Sequence, residues 1–496
     1  MNATLDARPL GRAGMAGSQR RAREVLLVEN GRWPLIIYAA IASAVLAYPL
    51  FGSLTPWLTV GIFAIALILG HLGAVVYRMP WLPGVILLIS ALQWILAPAL
   101  VFLLPDAPTI IPISVSARTY FDFAIPGFLC FAAGLYAPLL SFTRRRNLSA
   151  EAVQPMRPAT RARLIDVSKQ MAIAGLVAHA MSYVGLPSAV RFVAEIMGRL
   201  TLVGALSLLL LGAPRWRMWC LIAIATQLFD SVVSSLFNGT FILTLHMGLL
   251  MTYRRRVPLR RIVMLSVGAV VVFLTVNGFK GAYRATISDD VGAGERISLA
   301  SSQFWSFFTD PDRVFAPQNI SFNLSRLNQG SITARVLYWT PQYEPFARGE
   351  TVAAAVRAAV LPRFLDASKV SAGGGDNYPR FTGLPLLHGT SINLSALGEF
   401  YANYGTVGGW IAVFVWGVFL STVFFAIASR ARRDPVWWAW VPFVMPSSVS
   451  AESGLVELLN EIFKSGLVMI ALVWTIPAWR MLIRERAAAR TRRTAR

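Results

Sequence analysis

Charge, cysteine and histidine are all scarce in this chain of 496 residues: 14% of residues are Asp, Glu, Lys or Arg, and there are two cysteines and four histidines. Cys130 and Cys220 both fall in apolar runs, so neither a disulfide framework nor a thiolate zinc site is expected. Acid is the scarcer sign, with 24 Asp and Glu against 46 Lys and Arg. The chain also lacks a phosphate-cradling glycine loop, a Gly-x-Ser-x-Gly elbow and a His-Glu-x-x-His pair. Those absences remove the familiar nucleotide, serine-hydrolase and zinc-protease sites.

What fills the chain is apolar surface, 56% of residues. Runs near 20 residues recur from Trp33 to the C-terminal region, the length that crosses a hydrocarbon core of roughly 30 Å. The pattern predicts about twelve spans, over 33–51, 57–77, 82–104, 120–142, 170–186, 190–212, 218–236, 239–253, 262–279, 400–429, 435–451 and 461–479. The first follows a long basic arm and leads directly into further spans, so it reads as a membrane segment and not as a cleaved leader.

The formal net charge of +22 invites a nucleic-acid reading until its location is considered. Residues 1–32, Arg78, 143–169, 213–217, 254–261, 430–434 and 480–496 hold 31 of the 46 Lys and Arg and 7 of the 24 Asp and Glu. Their balance is 31 − 7 = +24, against 15 − 17 = −2 for the rest of the chain. With an inside start, all these segments land on the cytoplasmic face, which is the positive-inside rule at work. The excess base is a topology signal, and no nucleic-acid partner is expected.

The expected organisation is a cytoplasmic basic arm (1–32), a bundle of nine spans (33–279), a large extracytoplasmic loop with short helices (280–399), three further spans (400–479) and a cytoplasmic basic tail (480–496). Both ends are polar, basic and low in complexity and read as mobile cytoplasmic ends touching anionic headgroups, with no chemistry of their own. A connection of more than 100 residues without structure would be unusual, and long loops are more often functional. Within it, Thr351–Leu361 has helix-forming composition that stops at Pro362, and Ser371–Asp376 is glycine-rich and flexible.

Candidate chemistry concentrates in that loop. It carries nine arginines and two lysines, including Arg284, Arg335, Arg348 and Arg380, on the side where the positive-inside bias should deplete them. Guanidinium groups bind phosphate bidentately, so these residues suit a lipid-linked phosphate or pyrophosphate, although ordinary ion pairs with the loop's own acids would also use them. Arg191, Glu195 and Arg199 share one helix face at i, i+4 and i+8, forming either a cavity wall or a self-neutralising stripe. His388 is the loop's sole histidine and a candidate general base, with Glu399 as the alternative. His71, His179 and His246 fall in spans and read as structural. Asp122, and Asp230 with Asn238, are weaker polar candidates. Asp310-Pro311-Asp312 matches a three-residue metal pattern but reads better as a helix-start turn.

Two nearby stretches, Leu386-Leu387-His388-Gly389 and Leu397-Gly398-Glu399-Phe400-Tyr401-Ala402-Asn403-Tyr404-Gly405-Thr406-Val407-Gly408-Gly409, resemble the re-entry motif of the O-antigen polymerases, the Wzy-type oligosaccharide repeat-unit polymerases. Glu399, Tyr401, Asn403 and Gly405 fall on the matching positions, and the specific likeness covers about 25 residues. The related O-antigen ligases share a loop histidine with a glycine about eleven residues on. Here His388 and Gly398 are ten apart, and Gly389 follows the histidine instead of an amide or serine.

The resemblance implies an all-α polytopic membrane protein of GT-C-like architecture in a bacterial inner membrane. It implies a metal-independent glycosyltransferase without cofactor, which joins glycan repeat units carried on undecaprenyl pyrophosphate. Its partners would be that lipid-linked glycan, the bilayer and a chain-length regulator. Under this reading Arg191, Arg284, Arg335, Arg348 and Arg380 hold the anion, His388 or Glu399 is the base, and Tyr401 and Asn403 orient the base or a sugar hydroxyl. The alternatives are a ligase or other lipid-dependent glycosyltransferase, and a polysaccharide transporter, which would show balanced halves, interrupted helices and short loops.

Overall fold

The computed structural model describes residues 33–255 apart from breaks at 53–54, 76–78, 105–112, 145–155, 185–186 and 235–237. It further describes 316–361, 366, 369–370, 373–386 and 391–494, with scattered positions between 258 and 312. The expected ninth span, the metal pattern's Pro311, Arg284 and His388 lie outside the described residues.

Among the described residues the regular structure is entirely helical. In chain order the helices are α1 (Trp33–Phe51), α2 (Pro56–Val75), α3 (Leu82–Leu103), α4 (Ala117–Arg144), α5 (Pro158–Met181), α6 (Ser188–Gly198), α7 (Leu200–Leu211), α8 (Trp216–Ser234) and α9 (Asn238–Arg255). They continue with α10 (Pro317–Leu327), α11 (Gly330–Trp339), α12 (Glu350–Val360), α13 (Asn377–Thr382), α14 (Ser395–Ala431), α15 (Val441–Val444), α16 (Leu455–Thr475) and α17 (Pro477–Thr494). Six spans by length and composition are α1, α2, α3, α4, α14 and the α6–α7 stretch Val190–Leu211; α16 and α17, bent by 78°, would make a seventh. This is a multi-pass helical membrane protein by composition. Helices α5, α8 and α9 occupy places expected of spans without meeting the same measure.

The central pair is α4 against α14. Small residues allow the backbones to touch: a Cβ added to Gly134 would lie 2.2 Å from the Phe414 carbonyl oxygen, and one on Gly417 2.7 Å from that of Phe131. Such contacts hold helices together where lipid offers no hydrophobic drive. Hydrogen bonds reinforce the seam, with Ser421 Oγ donating to the Leu135 carbonyl at 2.7 Å and Trp410 Nε1 donating to the Phe123 carbonyl at 3.0 Å.

In α3, Pro98 offers no N–H to the carbonyl four residues back, at Trp94. A π turn occupies Leu92–Leu96, and Tyr120 Oη donates to that carbonyl at 2.7 Å. Of the histidines expected to be structural, His71 Nδ1 lies 2.9 Å from Tyr136 Oη, and His246 Nδ1 bonds the Ile242 carbonyl at 2.8 Å.

Two expectations are corrected here. The apolar run 435–451 is not a spanning helix: it folds as a 3₁₀ turn (Pro435–Trp440), the four-residue α15 and a second turn (Ser447–Val449), almost all buried. Pro442 and Pro446 interrupt the hydrogen-bond ladder, and Trp438 and Trp440 are fully packed in the interior. Irregular backbone at membrane depth is tolerated where protein covers it. The basic tail is likewise not a loose arm. As α17 it buries Ala478, Trp479 and Leu482. Glu485 accepts from the Arg157 N–H (3.1 Å) and the Thr160 hydroxyl (2.8 Å), which satisfies one of the free backbone donors at the start of α5. Arg486 grips both carboxylate oxygens of buried Asp434.

Candidate functional site

The motif stretch forms the first turns of α14. Gly405 breaks that helix at φ 68°, ψ −162°, in a region that favours glycine. The break withholds the usual i+4 donors from the carbonyls of Ala402 and Asn403. Backbone N–H groups of the preceding strap replace them, Ala347 donating to Ala402 and Arg348 to Asn403, each at 2.9 Å. A crossing of two chain segments, remote in sequence, is thereby locked by main-chain bonds.

Behind this crossing lies a buried polar chain. Asn403 Oδ1 accepts from the Gly349 N–H at 3.0 Å, while its Nδ2 donates to Thr351 Oγ1 at 2.7 Å and to the Glu399 carbonyl at 2.8 Å. The Thr351 hydroxyl passes the bond on, donating to Glu399 Oε1 at 3.0 Å. Glu399 is 4% exposed. Its other oxygen lies 3.5 Å from the Leu455 N–H, at the start of α16. A carboxylate in this position is oriented from behind by a threonine, with one oxygen turned toward the gap between α14 and α16.

That gap is a cleft of about 370 Å³, open mouth included, and Glu399 lines it together with Val370, the 373–377 segment, Asn393, Leu394, Gly454, Leu455 and Val456. Glycine makes the closeness possible. Gly374 has φ 74°, and a Cβ there would sit 1.9 Å from the Ile392 carbonyl oxygen; one on Gly454 would lie 2.8 Å from Asn393 Oδ1. Among the described residues no group of three or more His, Cys, Asp or Glu is placed to hold a metal ion.

The structure separates the other residues singled out in the sequence. Arg380 is consumed by carboxylates: its Nε donates to Glu344 at 2.6 Å, and Nη1 and Nη2 donate to Glu350 at 3.0 and 3.1 Å. Bonding to Arg380 holds the Glu350 carboxyl below the usual glutamate range and raises the guanidinium further. Arg335 Nε donates to the Thr382 carbonyl at 2.7 Å, with its guanidinium over the Tyr338 and Trp339 rings. Arg348 is exposed, sits at φ 48°, and makes no side-chain bond to any described residue. Tyr401 faces away from the cleft. At i+2 from Glu399 it points to the opposite side of the helix, where its ring packs on Phe123 and Phe346 and its hydroxyl donates to the Thr340 carbonyl at 3.3 Å.

The expected stripe of Arg191, Glu195 and Arg199 is divided. Arg191 pairs with Glu195 at 3.2 Å on an exposed surface, while Arg199, at the α6–α7 break, turns to Glu461 of α16 at 2.9 Å. Asp230 receives the Tyr183 hydroxyl, with His179 Nε2 3.5 Å away, and Asp122 pairs with Arg118 at 3.8 Å. Thr351, Asn393 and the Gly454–Leu455 helix start were missed in the sequence. The only signals were a threonine opening a helix-like stretch and a glycine before an apolar run. The 371–376 glycines read there as a flexible connection, yet Gly373–Asp376 form a wall of the cleft.

The chain matches no protein-family model, no curated protein and no solved structure.

Proposed function

We propose that this protein is a membrane-embedded polymerase that joins glycan repeat units carried on undecaprenyl pyrophosphate, working at the outer leaflet of a bacterial inner membrane with both chain ends in the cytoplasm. One observation carries the reading: Glu399, on the motif that resembles the Wzy-type polymerases, lies buried at a cleft and is aimed by Thr351 and Asn403.

Repeat-unit transfer needs a base and an anion site. The acceptor hydroxyl oxygen attacks the anomeric carbon of the lipid-linked glycan, a new glycosidic C–O bond forms, and the C–O bond to pyrophosphate breaks. Glu399 takes the hydroxyl proton and the pyrophosphate leaves with the electron pair. Of the arginines expected to hold the anion, the one beside this crossing whose guanidinium is uncommitted to described residues is Arg348, and it is the leading anion ligand. Its left-handed backbone supports that choice, since strained positions persist where surrounding structure imposes them and often mark ligand clamps.

The test is a deletion strain complemented with wild-type, Glu399→Gln or Arg348→Ala protein, with surface glycan sized on gels and lipid-linked intermediates extracted. The deletion strain should show single-repeat glycan, with lipid-linked units accumulating on the outer side. Glu399→Gln should lower polymer formation at least 100-fold. A ligase would leave polymer unattached instead of abolishing it.

A transporter is the second reading, and one observation favours it. Several helices are interrupted: the π turn of α3, the Gly405 break, the folded segment 435–449 and the 78° bend after α16. Broken helices line the substrate sites of many transporters. Lipid-linked units trapped on the cytoplasmic side of the deletion strain would establish that reading in place of the polymerase.

A further inference from the structure

A second surface on the same frame has the makings of a ligand site. The end of α11 and the turn after it bring three aromatic rings together. Trp339 and Tyr343 stack with centroids 4.4 Å apart and planes at 28°, and the Tyr338 ring lies 6.0 Å from Tyr343. The Arg335 guanidinium sits 5.0 Å from the Tyr338 centroid and 5.4 Å from that of Trp339.

The arrangement is held from behind. Arg335 is tied to the Thr382 carbonyl at 2.7 Å. Gly383, at φ 66°, backs the indole so closely that a Cβ there would lie 2.6 Å from it. The front is uncovered, with Tyr343 52% and Tyr338 37% exposed. A rigid support with an open ring surface is a prearranged contact and not a core cluster in the ordinary sense.

The chemistry of the rim selects the ligand. Glu344 and Arg380 form an ion pair beside Tyr343, and Arg380 continues to Glu350, whose side chain is 61% exposed. Carboxylate acceptors, the terminal N–H groups of Arg335 and phenol hydroxyls thus surround an apolar ring surface. That combination matches a pyranose, which presents a C–H face to stack on aromatic rings and an edge of hydroxyls to bond planar donors and acceptors. Half-exposed ion pairs beside the rings fit poorly with hydrocarbon, where charge is costly.

We propose that Tyr338, Trp339 and Tyr343, with Arg335 at their edge, form a sugar-binding platform for a pyranose unit of the glycan handled at the Glu399 cleft, an inference that rests on the polymerase reading. The platform shares its frame with the cleft. Tyr401 of the motif helix holds the turn through the Thr340 carbonyl. The Glu344–Arg380–Glu350 chain ends one residue before Thr351, which bonds Glu399.

The experiment uses the full chain in nanodiscs and, as probe, lipid-free surface polysaccharide released by mild acid from the producing cells, with binding measured calorimetrically. The double variant Tyr338→Ala, Tyr343→Ala should bind about tenfold more weakly, and Tyr338→Phe, Tyr343→Phe, which keeps the rings, should stay within about threefold of wild type. Arg484→Ala, an exposed position outside the site, should bind as wild type does. Unchanged binding by the alanine double variant, or no binding by wild type, overturns the platform; so does a loss confined to the protein's partition into bilayers, which would make the rings interfacial anchors. Normal polymer in Glu399→Gln cells would remove the polymerase reading alone, because platform binding is scored separately from polymer synthesis.

Discussion

Asn403 donates to the Thr351 hydroxyl at 2.7 Å, joining the motif helix α14 to the start of α12 across more than 50 residues of chain. Because that hydroxyl has one proton, accepting from Asn403 leaves the proton free for Glu399. The direction of the chain is set by the amide, whose Nδ2 can only donate.

Replacing Thr351 by Val should disorient Glu399 while leaving the helices in place. We expect polymer to fall about 10- to 100-fold and stability to drop by about 1–3 kcal/mol, the cost of an unmade buried hydrogen bond. Thr351→Ser should restore both. Glycan sizing together with thermal unfolding in detergent checks this, and wild-type chain length in Thr351→Val would remove threonine from the site.

Gly405→Ala should weaken the crossing at α14. Alanine at φ 68°, ψ −162° is strained by about 1–3 kcal/mol, and its Cβ would press to 3.2 Å from the Phe346 ring. The expected sign is faster hydrogen exchange at Ala347 and Arg348, whose N–H groups bond the carbonyls that the break releases. Unaltered exchange there would mean the crossing does not depend on the glycine.

Acid should loosen the junction of α12 and α13. Arg380 lowers the Glu350 carboxyl from its ordinary value of 4.5. A depressed carboxyl contributes stability above its unfolded pKa and loses it as pH falls through the lower folded value. Limited proteolysis of 344–382 should thus accelerate below the ordinary glutamate range. Arg380→Ala should cleave readily at neutral pH and show a flatter acid response. Because the Glu350 side chain is largely exposed, solvent screening keeps the effect small.

On the basic face, Arg486→Ala should be more damaging than its place near the chain end suggests. Asp434 retains only 4% side-chain exposure, and Arg486 12%. Stranding one partner of a buried pair costs about 3–5 kcal/mol. The readout is the unfolding temperature against Arg484→Ala, an exposed neighbour expected to be nearly neutral. Equal behaviour of the two variants would show α17 to be loosely held.

Much of this molecule is legible in one dimension. Apolar runs near bilayer length determine its helical, membrane-crossing character, since hydrocarbon forces backbone groups to pair within the segment. The helix expected over Thr351–Leu361 is observed at Glu350–Val360, because composition and the following proline act locally. Tertiary structure decided the rest. The 435–451 run has the hydropathy of a span, but hydropathy does not distinguish burial in protein from burial in lipid, and prolines broke a segment that tryptophans hold inside. Position along the motif also does not reveal direction: Glu399 and Asn403, four apart, share the face that meets α12, while Tyr401 between them turns to Phe123. Arg380 looked like an anion ligand until Glu344 and Glu350, more than 25 residues away, arrived beside it. Residue type sets what a side chain can bind, and only the fold determines which partner reaches it first.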